Sequence, residues 1–300
     1  MFTVAVSSRA LFNLEDGHEI YVREGQCAFD AYMRKTEKKP LRPGAAFPLI
    51  QKLLALNVGV PPIVEVVLLS SNSFEASGRI MHSVRHHGLN IDRAFFTSGG
   101  ERFRLAKSAG VSLFLSTNGD EARNSIQSGI ASACVMPTSH AADTTDGIRL
   151  AFDGDSVLFS DEAERRYQDG GLTAFAEGEQ RNAHVPLGPG PFKPVLHAVH
   201  EIQTSFAGGR CPIRVALVTA RGFSAADRVL KTFRVWGINV DEAYFCAGTN
   251  KGPYLQSFGA DLFFDDSWRN VENASQFVPS GHVLHGVLNE TSAAIPAPVS

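Results

Sequence analysis

The chain has 300 residues, a formal net charge of -3, and 44% hydrophobic against 20% charged residues. That length suits two domains of ordinary globular composition, and the charge balance gives no electrostatic footing for nucleic acid or an acidic membrane surface. No apolar run is long enough to span a bilayer, and the opening MFTVAVSSRA lacks the basic stretch and apolar core of a secretion leader. With four cysteines and no C-x-x-C pair, a cytoplasmic protein with reduced thiols is the expectation.

In chain order, the apolar start predicts a strand running up to Ser7, followed by Arg9. The run RKTEKKP, Arg34 to Pro40, reads as a solvated charged face. LRPG follows at Leu41 to Gly44, then LLSSNSFEASGRI at Leu68 to Ile80, HHGLNIDRAFF at His86 to Phe96 and GVSLFLSTN at Gly110 to Asn118. The SSN around Ser70 lacks the G-x-S-x-G setting of a serine nucleophile.

Each of these phrases returns in the second half. LAFDGDSVLF places Asp153 on Ser7 and Asp155 on Arg9, Tyr167 falls on Tyr21, and LGPG (Leu187 to Gly190) falls on LRPG at the same spacing. At a slightly larger spacing LVTARGFSAADRV puts Thr219 on Ser70, VWGINVDEAYF puts Gly237 on Gly88, and GADLFFDDS puts Gly259 on Gly110. Internal self-similarity over this length predicts two tandem homologous lobes, residues 1–136 and 148–288. The stretch 137–147 has the composition of a linker, and 289–300 reads as a flexible tail.

In the second lobe, IRLAF, IRVALV, EAYF and ADLFF are short continuous apolar runs, the pattern of strands buried on both faces. Between and after them, helical patterns run from Asp161 to Phe175, Pro191 to Gln203, Ser224 to Trp236 and Trp268 to Gln276. The alternation predicts an α/β fold with a doubly wound parallel sheet in each lobe. In such sheets ligands gather beyond the carboxyl ends of the strands.

Polar groups follow each strand of the second lobe in turn: Asp153-Gly154-Asp155, then Thr219-Ala220-Arg221, then Lys251, then Asp265-Asp266. Carboxylates converging on one point repel unless a cation joins them. Hard oxygen ligands suit Mg²⁺ beside a phosphate, so Asp153, Asp155, Asp265 and Asp266 form the candidate metal set. Asp153 is then placed to attack phosphorus and Asp155 to move protons. Thr219, Ala220, Arg221 and Lys251 are candidate partners for phosphoryl oxygens.

The order D-x-D-x-V, Thr, Lys, D-D resembles the haloacid dehalogenase superfamily. AFDGDSVLFSDEAER, CPIRVALVTAR and KGPYLQSFGADLFFDDS, with VSSRALF and LRPGAAFPLIQKLLALN in the first lobe, resemble the cytosolic 5′-nucleotidase type I family over nearly the whole chain. The resemblance implies Mg²⁺-dependent hydrolysis of an AMP-like nucleoside 5′-monophosphate through an aspartyl-phosphate, in a homo-oligomeric cytoplasmic enzyme. By the same resemblance Asp153 is the nucleophile, Asp155 the acid/base, Thr219 and Lys251 the phosphate binders, and Asp265 a metal ligand, with Asp266 as the neighbour able to share that role. A phosphatase for another phosphorylated metabolite, or a nucleotide-binding sensor with weak turnover, are the rival readings.

The first lobe carries Ser7, Arg9, Ser70, Arg102, Ser116 and Thr117 at the corresponding places. Its acids are gone, so it holds no equivalent Mg²⁺ site. Two readings stay open: a decayed copy kept for packing, or a regulatory anion site of Arg9, Ser70 and Arg102 for a nucleotide effector.

Overall fold

The computed structural model describes residues 1–57, 62–137, 147–206 and 211–290. The chain divides into two compact units, Met1–Thr117 and Asn118–Ser300. Most of the stretch read as a linker (138–146) and the tail from 291 onward lie outside the described residues.

The first unit runs β1 (Phe2–Val6), α1 (Ser8–Leu11), α2 (Glu15–Glu24), α3 (Gln26–Lys35), α4 (Phe47–Ala55), β2 (Val64–Ser70), α5 (Ser77–His86), β3 (Arg93–Phe96), α6 (Phe103–Ser108) and β4 (Leu113–Ser116). Its strands lie in the order β3-β2-β1-β4, all parallel.

The second unit opens with α7 (Gly119–Gln127) and β5 (Ala131–Val135), both in sequence that the repeat places in the first lobe. It continues with β6 (Ile148–Phe152), α8 (Glu162–Arg181), α9 (Lys193–Ser205), β7 (Ile213–Thr219), α10 (Ala226–Trp236), β8 (Glu242–Phe245), α11 (Gly252–Phe258), β9 (Leu262–Asp265), α12 (Trp268–Ser275) and β10 (Ser280–His282). The strands β8-β7-β6-β9 are parallel and repeat the order of the first unit. Beyond β9 comes β10, also parallel to it, and then β5, which is antiparallel to β10. The expected all-parallel arrangement therefore carries one reversed strand, β5.

The apolar strand runs are continuous because both faces of the sheet are covered. On β9, Phe263 packs into a cluster with Ala151, Val218, Leu255 and Phe258. Its neighbour Phe264 points the other way and meets Phe152 and Phe192, with ring centroids 5.1 and 4.8 Å away. Residues next to each other on a strand face opposite sides, so a run like LFF requires cover on both.

The repeated LRPG and LGPG phrases have a shared physical cause. In the first unit Phe12 bridges Pro43, and in the second Phe159 bridges Pro189. A Cβ on Gly44 would fall 2.6 Å from the Ala10 carbonyl oxygen, and one on Gly190 only 2.3 Å from that of Val157. Only glycine lets the backbone pass so close. The loops after β3 and β8 are also alike: Ser98 and Ala247 share a φ of 49°, each followed by a glycine at 78°. A backbone difference at the strand ends lies after the first strand. Phe12 N–H donates to the Ser8 carbonyl, whereas Phe159 N–H reaches back one residue further, to Gly154. The second unit's turn thus holds one residue more, and Ser156 takes a left-handed φ of 62° to fit it.

Candidate active site

The carboxyl-terminal ends of β6, β7 and β9, and the loop after β8, present groups to one place. Asp153 follows β6, its N–H held by the Phe264 carbonyl at 2.8 Å and its own carboxylate accepting from Gly154 N–H at 2.7 Å. Gly154 keeps the turn close to β7: a Cβ there would lie 3.2 Å from Thr219 Oγ1. Thr219 ends β7, and its hydroxyl oxygen accepts from Arg221 N–H at 3.2 Å. Asp265 ends β9 and is fully buried, with Oδ1 accepting from Ser267 N–H at 2.8 Å and Asn270 Nδ2 at 3.2 Å. The Asp266 backbone carbonyl accepts from Asn289 Nδ2 at 3.0 Å and lies 2.9 Å from His282 Nε2, which fixes the residue from behind.

Lys251, at the start of α11, reaches between two of these acids. Its Nζ lies 2.9 Å from Asp153 Oδ1 and 2.6 Å from Asp265 Oδ2. Burial alone would lower the Lys251 pKa, but attraction to Asp153 and Asp265 outweighs it and the net direction is up. The opposite holds for the acids. Burial pushes the Asp153 carboxyl up to about 7 against the pull of Lys251, and Asp265 adds to the rise. Asp266 is also raised well above the ordinary carboxylate range, by burial first and then by Asp265 and Asp153.

Asp153, Asp265 and Asp266 each offer a carboxylate oxygen within 4.8 Å of the others, the one such group among the described residues. One lysine cannot balance three buried carboxylates, and Asp266 Oδ2 is buried with no hydrogen-bond partner. An orphaned anionic oxygen in an all-oxygen cluster fits a small hard cation. The residues present therefore suit the metal that the sequence points to.

Without that cation the charge on Asp266 is a burden. A carboxyl with a raised folded pKa binds its proton more tightly when folded, so the folded state loses stability as pH climbs above the ordinary carboxylate value. We expect Asp266→Asn to raise the stability of EDTA-treated protein at pH 8, where the buried carboxyl of the wild type has lost its proton. The gain should shrink toward pH 4. Urea titrations at the two pH values check this, and equal stabilities at pH 8 count against it.

Asp155 is placed apart from the carboxylate cluster. Its two oxygens accept from Arg221 Nε and Nη2, both at 2.8 Å, in a bidentate pair. Arg221 itself also donates to Glu179. Sequence reasoning set Arg221 among the phosphate contacts and Asp155 among the metal ligands; the structure turns these two side chains toward each other. Ala220 is exposed, and its carbonyl accepts from Gly248 N–H at 3.0 Å, tying the loop after β8 to the end of β7. Asn270, His282, Asn289 and Glu179 were not found from the sequence, because each supports the site from within a helix or a short terminal segment that carries no motif.

In the first unit Ser7 caps α1 instead of standing free, with its hydroxyl oxygen accepting from Ala10 N–H at 3.2 Å. Ser70 lies 3.1 Å from the Ser8 hydroxyl, Arg9 pairs with Glu15 at 3.1 Å, and Arg102 sits over the Phe103 ring. Ser7 follows β1 and Ser70 ends β2, so these two stand at strand ends, while Arg102 precedes α6.

Fold and site together define an α/β protein of the haloacid dehalogenase type, with acids and a lysine gathered past the strand ends. A model of the 5′-nucleotidase family matches residues 1–290, and the chain belongs to that family. It is 36% identical over 287 residues to human cytosolic 5′-nucleotidase 1B, covering 91% of this chain and 47% of that protein. The chain thus spans about half the length of that curated relative. No solved structure matches it. Among the described residues no helix is long and apolar enough to cross a membrane.

Proposed function

We propose that this chain hydrolyses nucleoside 5′-monophosphates to nucleoside and inorganic phosphate, with Mg²⁺ held by Asp153, Asp265 and Asp266. The observation that carries the reading is the buried convergence of those three carboxylates beside Lys251 and Thr219 at the strand ends. Family membership and the resemblance to a cytosolic 5′-nucleotidase supply the substrate class.

The chemistry follows from the groups present. An Asp153 carboxylate oxygen attacks phosphorus, the bond from phosphorus to O5′ breaks, and Asp155, which enters the cycle as the protonated acid, gives the leaving oxygen its proton. Water then attacks the aspartyl-phosphate on Asp153, losing its proton to Asp155, and phosphate leaves with the Asp153 carboxylate restored. Lys251 and Thr219 meet charge on the phosphoryl oxygens. A bound Mg²⁺ supplies positive charge that offsets repulsion between the acids and the phosphate.

Phosphate release from AMP, other nucleoside monophosphates and sugar phosphates, measured with Mg²⁺ and with EDTA, tests the reading. We expect turnover on the nucleotides that EDTA abolishes and Mg²⁺ restores. Turnover confined to sugar phosphates, or unaffected by EDTA, removes it.

A further inference from the structure

A chain of alternating charges runs back from Asp155 into the fold. Arg221 grips both Asp155 oxygens and donates through Nη1 to Glu179 Oε2. The other Glu179 oxygen accepts from Arg228 Nη1 at 2.7 Å. Arg228 also donates to Glu162 and, through Nε, to the Val185 carbonyl at 2.9 Å. The side chains of Arg221, Glu179 and Arg228 are 1%, 7% and 3% exposed. Burying such groups costs several kcal/mol per ion unless the geometry returns it, so something must favour their retention.

The repeat shows that the scaffold keeps the second arginine but requires neither Glu179 nor Arg221. Arg228 falls on Arg79, and Val185 on Lys39. Arg79 Nε donates to the Lys39 carbonyl at 2.9 Å, the same bond as in the second unit. Thr232 and Ser83, again corresponding residues, each donate to the carbonyl of that arginine at 2.7 Å. Gly25 and Gly171 both break the preceding helical segment at positive φ. Upon this common frame Met33, fully buried, stands where the second unit has Glu179, and Asn72 where it has Arg221. Arg9 stands where it has Asp155. The backbone bonds are kept in both units; the acid-arginine-acid chain accompanies only the unit with Asp155.

We infer that Glu179 and Arg228 are positioning residues, which act through Arg221 to fix the plane and direction of the Asp155 carboxylate. The inference rests on Asp155 being the acid/base of the proposed reaction. A bidentate guanidinium defines a carboxylate in two dimensions, but a lone arginine on its flexible stem would wander. Glu179 pins the opposite edge of that guanidinium, and Arg228 pins Glu179 from a helix and a backbone carbonyl. Proton transfer depends on such placement, because a displaced donor loses the leaving oxygen.

The test is a double-mutant cycle in the full chain, with AMP and Mg²⁺. Glu179→Gln should lower kcat at least about tenfold with KM changed by less than about twofold, the size of loss that supporting shells commonly show. In an Asp155→Asn background the same change should have no further effect, since its route is already cut. Unchanged kcat, or equal losses in both backgrounds, overturns the inference. If Glu179→Gln melts early, Glu179→Met takes its place, the side chain that the first unit buries at this position. Should the wild-type chain hydrolyse no phosphate monoester, the nucleotidase reading fails by itself. A crystal structure of Glu179→Gln then still decides the inference: we expect the bidentate Asp155–Arg221 pair to be lost, and its retention overturns the positioning role.

Discussion

Asp153→Asn should lower phosphate release from AMP by at least about 10³-fold while leaving the fold intact, as expected for removal of a covalent nucleophile. The amide matches the carboxylate in shape. Its oxygen can still accept from Gly154 N–H and lie near Lys251, and the backbone bond to Phe264 is untouched. What is lost is an anionic oxygen able to form a bond to phosphorus. Asp265 and Asp266 remain, so Mg²⁺ should still raise the melting temperature of the variant, though by less than in the wild type. Steady-state phosphate release and thermal melts with and without Mg²⁺ measure both outcomes. Retention of more than about a tenth of the wild-type rate is incompatible with an essential nucleophile.

Lys251→Ala should be the most destabilising of the site changes in metal-free protein. It leaves Asp153 and Asp265 facing each other in the interior without the cation between them. Breaking a buried pair by removing one partner costs about 3–5 kcal/mol. For a unit of this size that corresponds to roughly 10 °C in melting temperature. Because the loss is one of unbalanced negative charge, Mg²⁺ should recover part of it. Lowering the pH should recover part as well, since the raised Asp153 pKa already shows how readily burial favours the neutral acid. A Lys251→Ala protein that melts with the wild type in EDTA at pH 8 contradicts this account of the cluster. Turnover should stay low even when Mg²⁺ restores the fold, because the ammonium is also a partner for the phosphoryl group.

Much of this was legible in the residues because the chain repeats itself. The parallel strands β6 to β9 coincide with four apolar runs, since strands covered on both faces leave no alternation to blur them. The groups at their ends emerged from the same reading. Three things did not. α11 is short, and its GPYLQSF gives too few turns for a periodic signal. β10 is a three-residue SGH with no β-branched residue, so neither it nor the reversal of β5 beside it could be read from propensity. The partnership of Asp155 with Arg221 joins side chains 66 residues apart in sequence, and spacing along the chain carries no trace of it. For Glu179 a signal did exist: an acid in one copy facing a methionine in the other, at a position where the surrounding frame is otherwise kept.

The longer turn after β6 bears on what separates the two units. In the first unit the step from strand to bridging phenylalanine is one residue shorter, closed at Ser8 instead of reaching back the extra position found at Gly154. Restoring aspartates at positions 7 and 9 by point substitution would leave that backbone unchanged, without room for the left-handed residue that follows Asp155. Building the second unit's turn there would take an inserted residue as well as the acids.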